Sequence, residues 1–166
     1  MAFTCEACGR THSGDLRDIR MGLPDPIFQL DEEERELRAR VGDDSAVLNV
    51  PGGDRFFVRG LLELPIEGGE GYFGYGSWVE VSAEDFAALG ELWHDEEGWR
   101  SEPFAGTLAN ELAPYFATVD LPLVIRLRDV QLLPLLELAE ANHELVRAQR
   151  YGISRHRAHE LAETVA

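Results

Sequence analysis

Lysine is absent from this chain: all fifteen of its basic residues are arginine, against thirty-one acidic residues. Chemistry that needs a lysine amine is thereby excluded, including Schiff-base catalysis, a phosphate-binding P-loop and a Ser-Lys dyad. The formal charge of -16 repels a phosphate backbone and removes the usual electrostatic basis for nucleic-acid binding. Cysteine is scarce, with two residues three positions apart, too few and too close for a disulfide framework. No apolar run approaches the roughly 20 residues that cross a bilayer, and no charged-then-apolar opening resembles a signal peptide. The expectation is a cytoplasmic protein without a membrane partner. Neither a Gly-x-Ser-x-Gly elbow nor a calcium loop occurs, and no glycine-rich run opens a helix as a dinucleotide fingerprint must.

What the chain does have is ordinary globular composition, 45% hydrophobic and 28% charged over 166 residues, which fits one domain over 1–166. We expect a knuckle over 1–14 and an α+β core over 15–166, an antiparallel sheet packed against helices. Glycines and prolines between residues 14 and 26 predict a loop. Asp31, with Glu34 three positions on and Leu30 before it, predicts a capped helix running through Arg40 to Gly42. Residues 46–50 and 55–64 around Pro51-Gly52-Gly53-Asp54 read as a β-hairpin, and residues 72–81 as a third strand. In the second of these strands Phe56, Val58, Leu62 and Leu64 share one face, while Arg59 and Glu63 fall on the other, expected to be the more exposed. Ser82 and Asp85 predict a helix start, followed by an apolar stripe of Phe86, Leu89 and Trp93 read as core. A helical turn is expected at 108–112, strands at 123–127 and 135–138, and a helix capped by Asn142 that ends at Gly152 before a last one from Ser154.

Cys5-x-x-Cys8-Gly9 suits a metal, because two thiolates on a tight turn can grip one ion, and His12 supplies a third ligand. A structural zinc needs four; His143, another distant histidine, an acidic side chain or water would complete it. A redox dithiol, a metal-free turn and a hydrolytic site with zinc-bound water and Glu6 as base are the alternatives. His156 and His159, three apart, share a helix face and read as solvated, and His94 reads as a surface loop residue. Arg59 stands among apolar neighbours, with Asp43, Asp44, Glu63 and Glu80 within reach of the hairpin. Structural ion pairing is the simpler reading there, and an anion or substrate site the other.

Four stretches, Phe3-x-Cys5-x-x-Cys8-Gly9-x-x-His12, Phe56-Phe57-Val58-Arg59-Gly60 with Pro65, Gly76-Ser77-Trp78-Val79-x-x-Ser82 and Gln149-x-x-Gly152-Ile153, occur in an order that resembles the bacterial domain-of-unknown-function family 2199. The resemblance spans nearly the whole chain and implies a compact, stand-alone bacterial protein, with no reaction attached. Glu80 departs from the neutral residue expected on the Trp78-Val79 strand. The leading expectation is a non-enzymatic binding or interaction protein with a structural zinc at Cys5, Cys8, His12 and His143. Its acidic surface would select a basic protein partner, as in an immunity or inhibitor protein. A metal-dependent, hydrolase-like enzyme is the rival.

Overall fold

A computed structural model describes residues 2–4, 11–13, 19–68 and 71–164. In chain order these residues form β1 (Ala2–Thr4), β2 (Thr11–Ser13), β3 (Ile19–Arg20), α1 (Asp25–Phe28), α2 (Glu32–Arg38), β4 (Ala39–Val41), β5 (Ser45–Val50), β6 (Gly53–Pro65) and β7 (Tyr72–Val81). There follow α3 (Ala83–Leu92), β8 (Phe104–Leu108), β9 (Pro122–Arg126), β10 (Leu135–Leu138), α4 (Glu144–Tyr151) and α5 (Arg155–Thr164).

The fold is mixed α/β, and its sheet closes. β6 and β7 pair antiparallel from Phe56↔Val81 to Pro65↔Tyr72. From β7 the ladder continues antiparallel through β8, β9 and β10, and it returns to β6 by one parallel pairing, Leu135↔Leu61. Five strands thus make a closed barrel, and the edges of the sheet fall on the strands that extend from it. β5 and β4 extend antiparallel from the first half of β6, and β3 adds to β7 in parallel.

Apolar side chains fall into two clusters. The larger fills the barrel and its helical cover, with Leu62, Leu64, Tyr75 and Ile125 from strands meeting Leu89, Leu145 and Leu161 from helices. The smaller lies on the opposite face of β6 and β7, where Ile27 of α1 packs with Ala46, Leu48, Phe57 and Trp78. Each large aliphatic side chain buried in this way contributes roughly 1.5–3 kcal/mol. The second cluster overturns the expectation of an exposed polar face on β6: residues 57–62 are buried on both faces, Arg59 included.

Local signals set several boundaries. Asp31 caps α2 by accepting from the Glu34 N–H, as its spacing predicts. The helix stops at Arg38 rather than Arg40 because residues 39–41 pair with β5, where strand pairing overrides helix propensity. Ser82 caps α3 by accepting from the Asp85 N–H. The predicted helical turn at 108–112 is instead the end of β8 and an irregular segment. β8 lies so close to β7 that a Cβ on Gly106 would stand 2.5 Å from Val79 Cγ1. The segment between residues 14 and 26, read as loop, contributes β3 and the start of α1. His143, not Asn142, caps α4. Gly152 ends that helix at φ +87°, a conformation costly for other residues, and the following Ile153 N–H donates to the Pro65 carbonyl at 2.8 Å.

Candidate functional site

β6 changes neighbours in mid-course. Its residues 53–58 pair with β5, whereas Leu61 pairs with β10, so Arg59 and Gly60 occupy the gap between the two ladders. Backbone bonds flank the gap: the Arg59 N–H donates to the Asp44 carbonyl at 3.0 Å and the Leu61 N–H to the Pro134 carbonyl at 2.8 Å. Because Asp44 immediately precedes β5, the hairpin register itself sets its carboxylate beside the arginine.

The Arg59 side chain is therefore buried, 4% exposed, and its guanidinium is ion-paired through Nη2 with Asp44 Oδ1. It lies over the ring of Trp78, its cross-strand partner, 5.7 Å from the centroid. Such stacking retains a charged, weakly hydrated guanidinium in a place that would expel an ammonium. Arg59 Nε is buried without a hydrogen-bond partner. A buried donor left unmet costs about 1–3 kcal/mol, which marks the position as one to be explained.

A cavity of about 290 Å³ adjoins this guanidinium, lined by Arg20, Asp44, Arg59, Trp93 and the 130–133 segment of the β9–β10 connection. Arg20 arrives because β3 pairs with β7, setting Arg20 opposite Gly76, two residues before Trp78. Its walls thus carry two guanidinium groups and one carboxylate, a local excess of positive charge in a chain of charge -16. Arg59 is buried at the base of this open cavity and Arg20 is exposed, and together they present charge-assisted donors of the kind that bind an oxyanion.

Of the carboxylates placed near Arg59 by sequence reasoning, the structure brings in Asp44. Glu80 instead chelates Arg55, receiving Nε at 2.8 Å and Nη2 at 2.6 Å. That hydrogen-bonded pairing raises the Arg55 pKa against the lowering effect of burial, and it gives the departure at position 80 a structural role. Glu63 lies 4.0 Å from Arg128. Arg20 and Trp93 were missed as site residues. Arg20 stands in a segment rich in loop signals, and Trp93 satisfies a helical apolar stripe so well that core packing alone accounts for it.

The proposed metal ligands are placed unevenly. Cys5 and Cys8 lie outside the described residues, as does the side chain of His12. β1 and β2 pair antiparallel, with Thr4↔Thr11 and Phe3↔His12 in register on either side of the segment that contains both cysteines. His143 caps α4: its Nδ1 accepts from the Leu145 N–H at 3.0 Å, and its Nε2 lies 2.8 Å from the Phe116 carbonyl, to which it donates. Both ring nitrogens are engaged with backbone. His156 is 3.4 Å from Glu160, His159 is buried, and His94 is exposed on the rim of a second cavity. Among the described residues, no group of three His, Cys, Asp or Glu side chains is arranged to hold a metal ion, and no helix is long and apolar enough to cross a membrane.

No curated protein and no solved structure matches the chain. A family model does: that of DUF2199, described as an uncharacterized protein conserved in bacteria, aligns with residues 4–153. This span includes the cysteine pair, the whole barrel and the Gly152 turn, so the chain belongs to the DUF2199 family.

Proposed function

We propose that this protein is a non-enzymatic binding module whose ligand is a small carboxylate, held at the gap in β6 by Arg59 with help from Arg20. The buried, Trp78-stacked Arg59 with its unpartnered Nε, beside a cavity that Arg20 also lines, carries this reading. A purely structural ion pair would account for Asp44 but not for the cavity or for the second arginine. The test is ligand-detected NMR with acetate. Wild-type protein should broaden or saturate the acetate signal, and Arg59→Met should not. Equal effects in the two proteins, or none in wild type, would overturn the assignment.

The N-terminal ribbon is proposed to hold a structural zinc through Cys5, Cys8 and His12. What supports this is the β1–β2 pairing, which frames the Cys-x-x-Cys segment between two strands. His143 would join only by giving up at least its cap on the Leu145 N–H, so a carboxylate or water is the simpler fourth ligand. Untagged protein purified without added zinc should carry about one equivalent by elemental analysis. Cys5→Ser with Cys8→Ser should lose both the metal and some thermal stability; a metal-free wild type would refute this part. The acidic surface, with its charge of -16, supports association with a basic protein partner, and a pull-down returning no basic protein would count against it.

A further inference from the structure

Resting on the carboxylate reading of Arg59, we infer that the ligand is a zwitterionic α-amino acid with an aliphatic side chain, its ammonium group taken by Asp44. Asp44 lines the same cavity as Arg59 and Arg20. Its Oδ1 pairs with Arg59 Nη2, and among the described residues no group pairs with or donates to its other carboxylate oxygen. The Asp44 side chain is 39% exposed against 5% for Arg59, so the carboxylate stays open to a solute that the arginine draws in. Arg20 is exposed and makes no ion pair with any described residue.

This juxtaposition disfavours a plain carboxylate. An anion that reaches the Arg59 guanidinium also comes close to the Asp44 carboxylate bound to it, and like charges at such range repel. An ammonium group on the carbon next to the ligand's carboxylate turns that repulsion into attraction. The ligand's carboxylate then meets Arg59 and Arg20 while its ammonium meets Asp44, so each charge in the cavity wall faces an opposite one. Neither a dicarboxylate nor a simple amine satisfies all three groups.

The rest of the wall sets the side chain. Trp93, Val130, Leu132 and Leu133 line the same cavity, and Val130 and Leu132 are 36% and 50% exposed, apolar surface whose removal from water is favourable. The turn that carries them is held before any ligand arrives: Asp129 accepts from the Gln131 N–H through Oδ1 at 2.8 Å and from the Leu132 N–H through its carbonyl at 2.9 Å. Such preorganisation spares the ligand the cost of ordering its own site. A volume of about 290 Å³ falls just under the roughly 300–1,000 Å³ of drug-sized sites and suits a single free amino acid.

The experiment is a titration of wild-type protein, by calorimetry or ligand-detected NMR, with L-leucine, N-acetyl-L-leucine and 4-methylpentanoate, which is the leucine skeleton without its amine. Leucine should bind about tenfold or more tightly than 4-methylpentanoate, because it gains a charge-assisted hydrogen bond and loses a like-charge contact. N-acetyl-leucine, whose nitrogen carries no charge, should bind no more tightly than 4-methylpentanoate. Asp44→Asn, with native circular dichroism as the check on its fold, should bring the ratio of leucine to 4-methylpentanoate toward one. If wild type binds leucine and 4-methylpentanoate equally and Arg59→Met binds neither, this inference falls while the Arg59 reading stands. A leucine preference that survives in folded Asp44→Asn would also overturn it. If no acid binds wild type, or Arg59→Met binds them as well, both fall.

Discussion

The Trp78 N–H donates to Asn110 Oδ1 at 2.7 Å, while the Trp78 carbonyl accepts from the neighbouring Ala109 N–H at 2.8 Å. One side-chain amide thus extends the β7 ladder past the end of β8. Its Nδ2 turns the other way, donating to the Leu23 carbonyl at 2.9 Å and to Asp25 Oδ1 at 3.0 Å, so Asn110 also ties the start of α1 to the sheet. The indole Nε1 of Trp78 donates to the Met21 carbonyl at 3.0 Å. The platform under Arg59 is therefore fixed on several sides.

Asn110→Ala should accordingly be costly. It leaves the Trp78 N–H and the Leu23 carbonyl without partners, and two such orphans cost about 2–5 kcal/mol. Urea denaturation should show a lower midpoint with little change in slope. Asn110→Asp should do no better, since it keeps the acceptor but sets a second carboxylate beside Asp25. A loss under about 0.5 kcal/mol for Asn110→Ala would mean that water replaces the amide freely.

Arg59 and Asp44 should respond asymmetrically. The Asp44 side chain is 39% exposed and can rehydrate if its partner is lost, whereas the Arg59 side chain at 5% cannot. Arg59→Met replaces a buried charge with an apolar chain of similar length and should be near neutral for stability. Asp44→Asn leaves a buried cation without its counter-charge. After a discount for the partly solvated carboxylate it should cost about 1–3 kcal/mol. Thermal melts of the two variants would check the order, and a more damaging Arg59→Met would show that the pair is chiefly a stabilising one.

Much of the fold was legible because local chemistry specified it. Asp31 and Ser82 cap the helices that their spacing predicts, and the Gly52-Gly53 turn joins the strands it separates. Closure of the barrel was not legible, since it depends on one parallel contact between residues 61 and 135, and no local period encodes so distant a pairing. The burial of Arg59 went unread for a related reason. Period-two alternation identifies which residues share a face but not what covers that face, and here Ile27, from a segment resembling loop, does so. Asp44 was among the carboxylates considered because hairpin geometry is local. Arg20 and the 130–133 segment reach the cavity only through non-local pairings of β3 and β10.

Gly60 should prove essential to closure. A Cβ at this position would stand 2.5 Å from Leu136 Cδ2 and 3.0 Å from the Pro134 carbonyl oxygen, the acceptor of the Leu61 N–H. Gly60→Ala must displace the Leu136 side chain or the strand that carries it, and overpacking of this kind costs about 1–3 kcal/mol. In a Leu136→Ala background most of the clash disappears, so the same substitution should cost at least about 1 kcal/mol less. Strictly additive effects in denaturant would show that β10 yields without resistance.

Stability should also decline at alkaline pH because of two buried phenols. Burial is the main cause of raised pKa values for Tyr75 and Tyr115; for Tyr75 the neighbouring Tyr115 adds to the shift, and Arg157 opposes it in both. Tyr75 Oη donates to the Ala113 carbonyl at 3.3 Å, and Arg157 stacks 5.4 Å from the centre of the Tyr115 ring. A phenol whose pKa is higher folded than unfolded favours the native state fully below the unfolded value near 10. That advantage is lost as pH rises from there through the folded value, because the unfolded chain releases its proton first. Unfolding free energy should therefore be insensitive to these groups up to about pH 9 and fall beyond pH 10, each tyrosine adding up to ~1.4 kcal/mol per pH unit to the slope. Tyr75→Phe should be slightly less stable at pH 7, through the lost hydrogen bond, and should fall less steeply between about pH 10 and 12. Urea titrations of both proteins at half-unit pH intervals would measure the two slopes, and parallel curves would show that Tyr75 ionises as readily in the folded protein as in the unfolded chain.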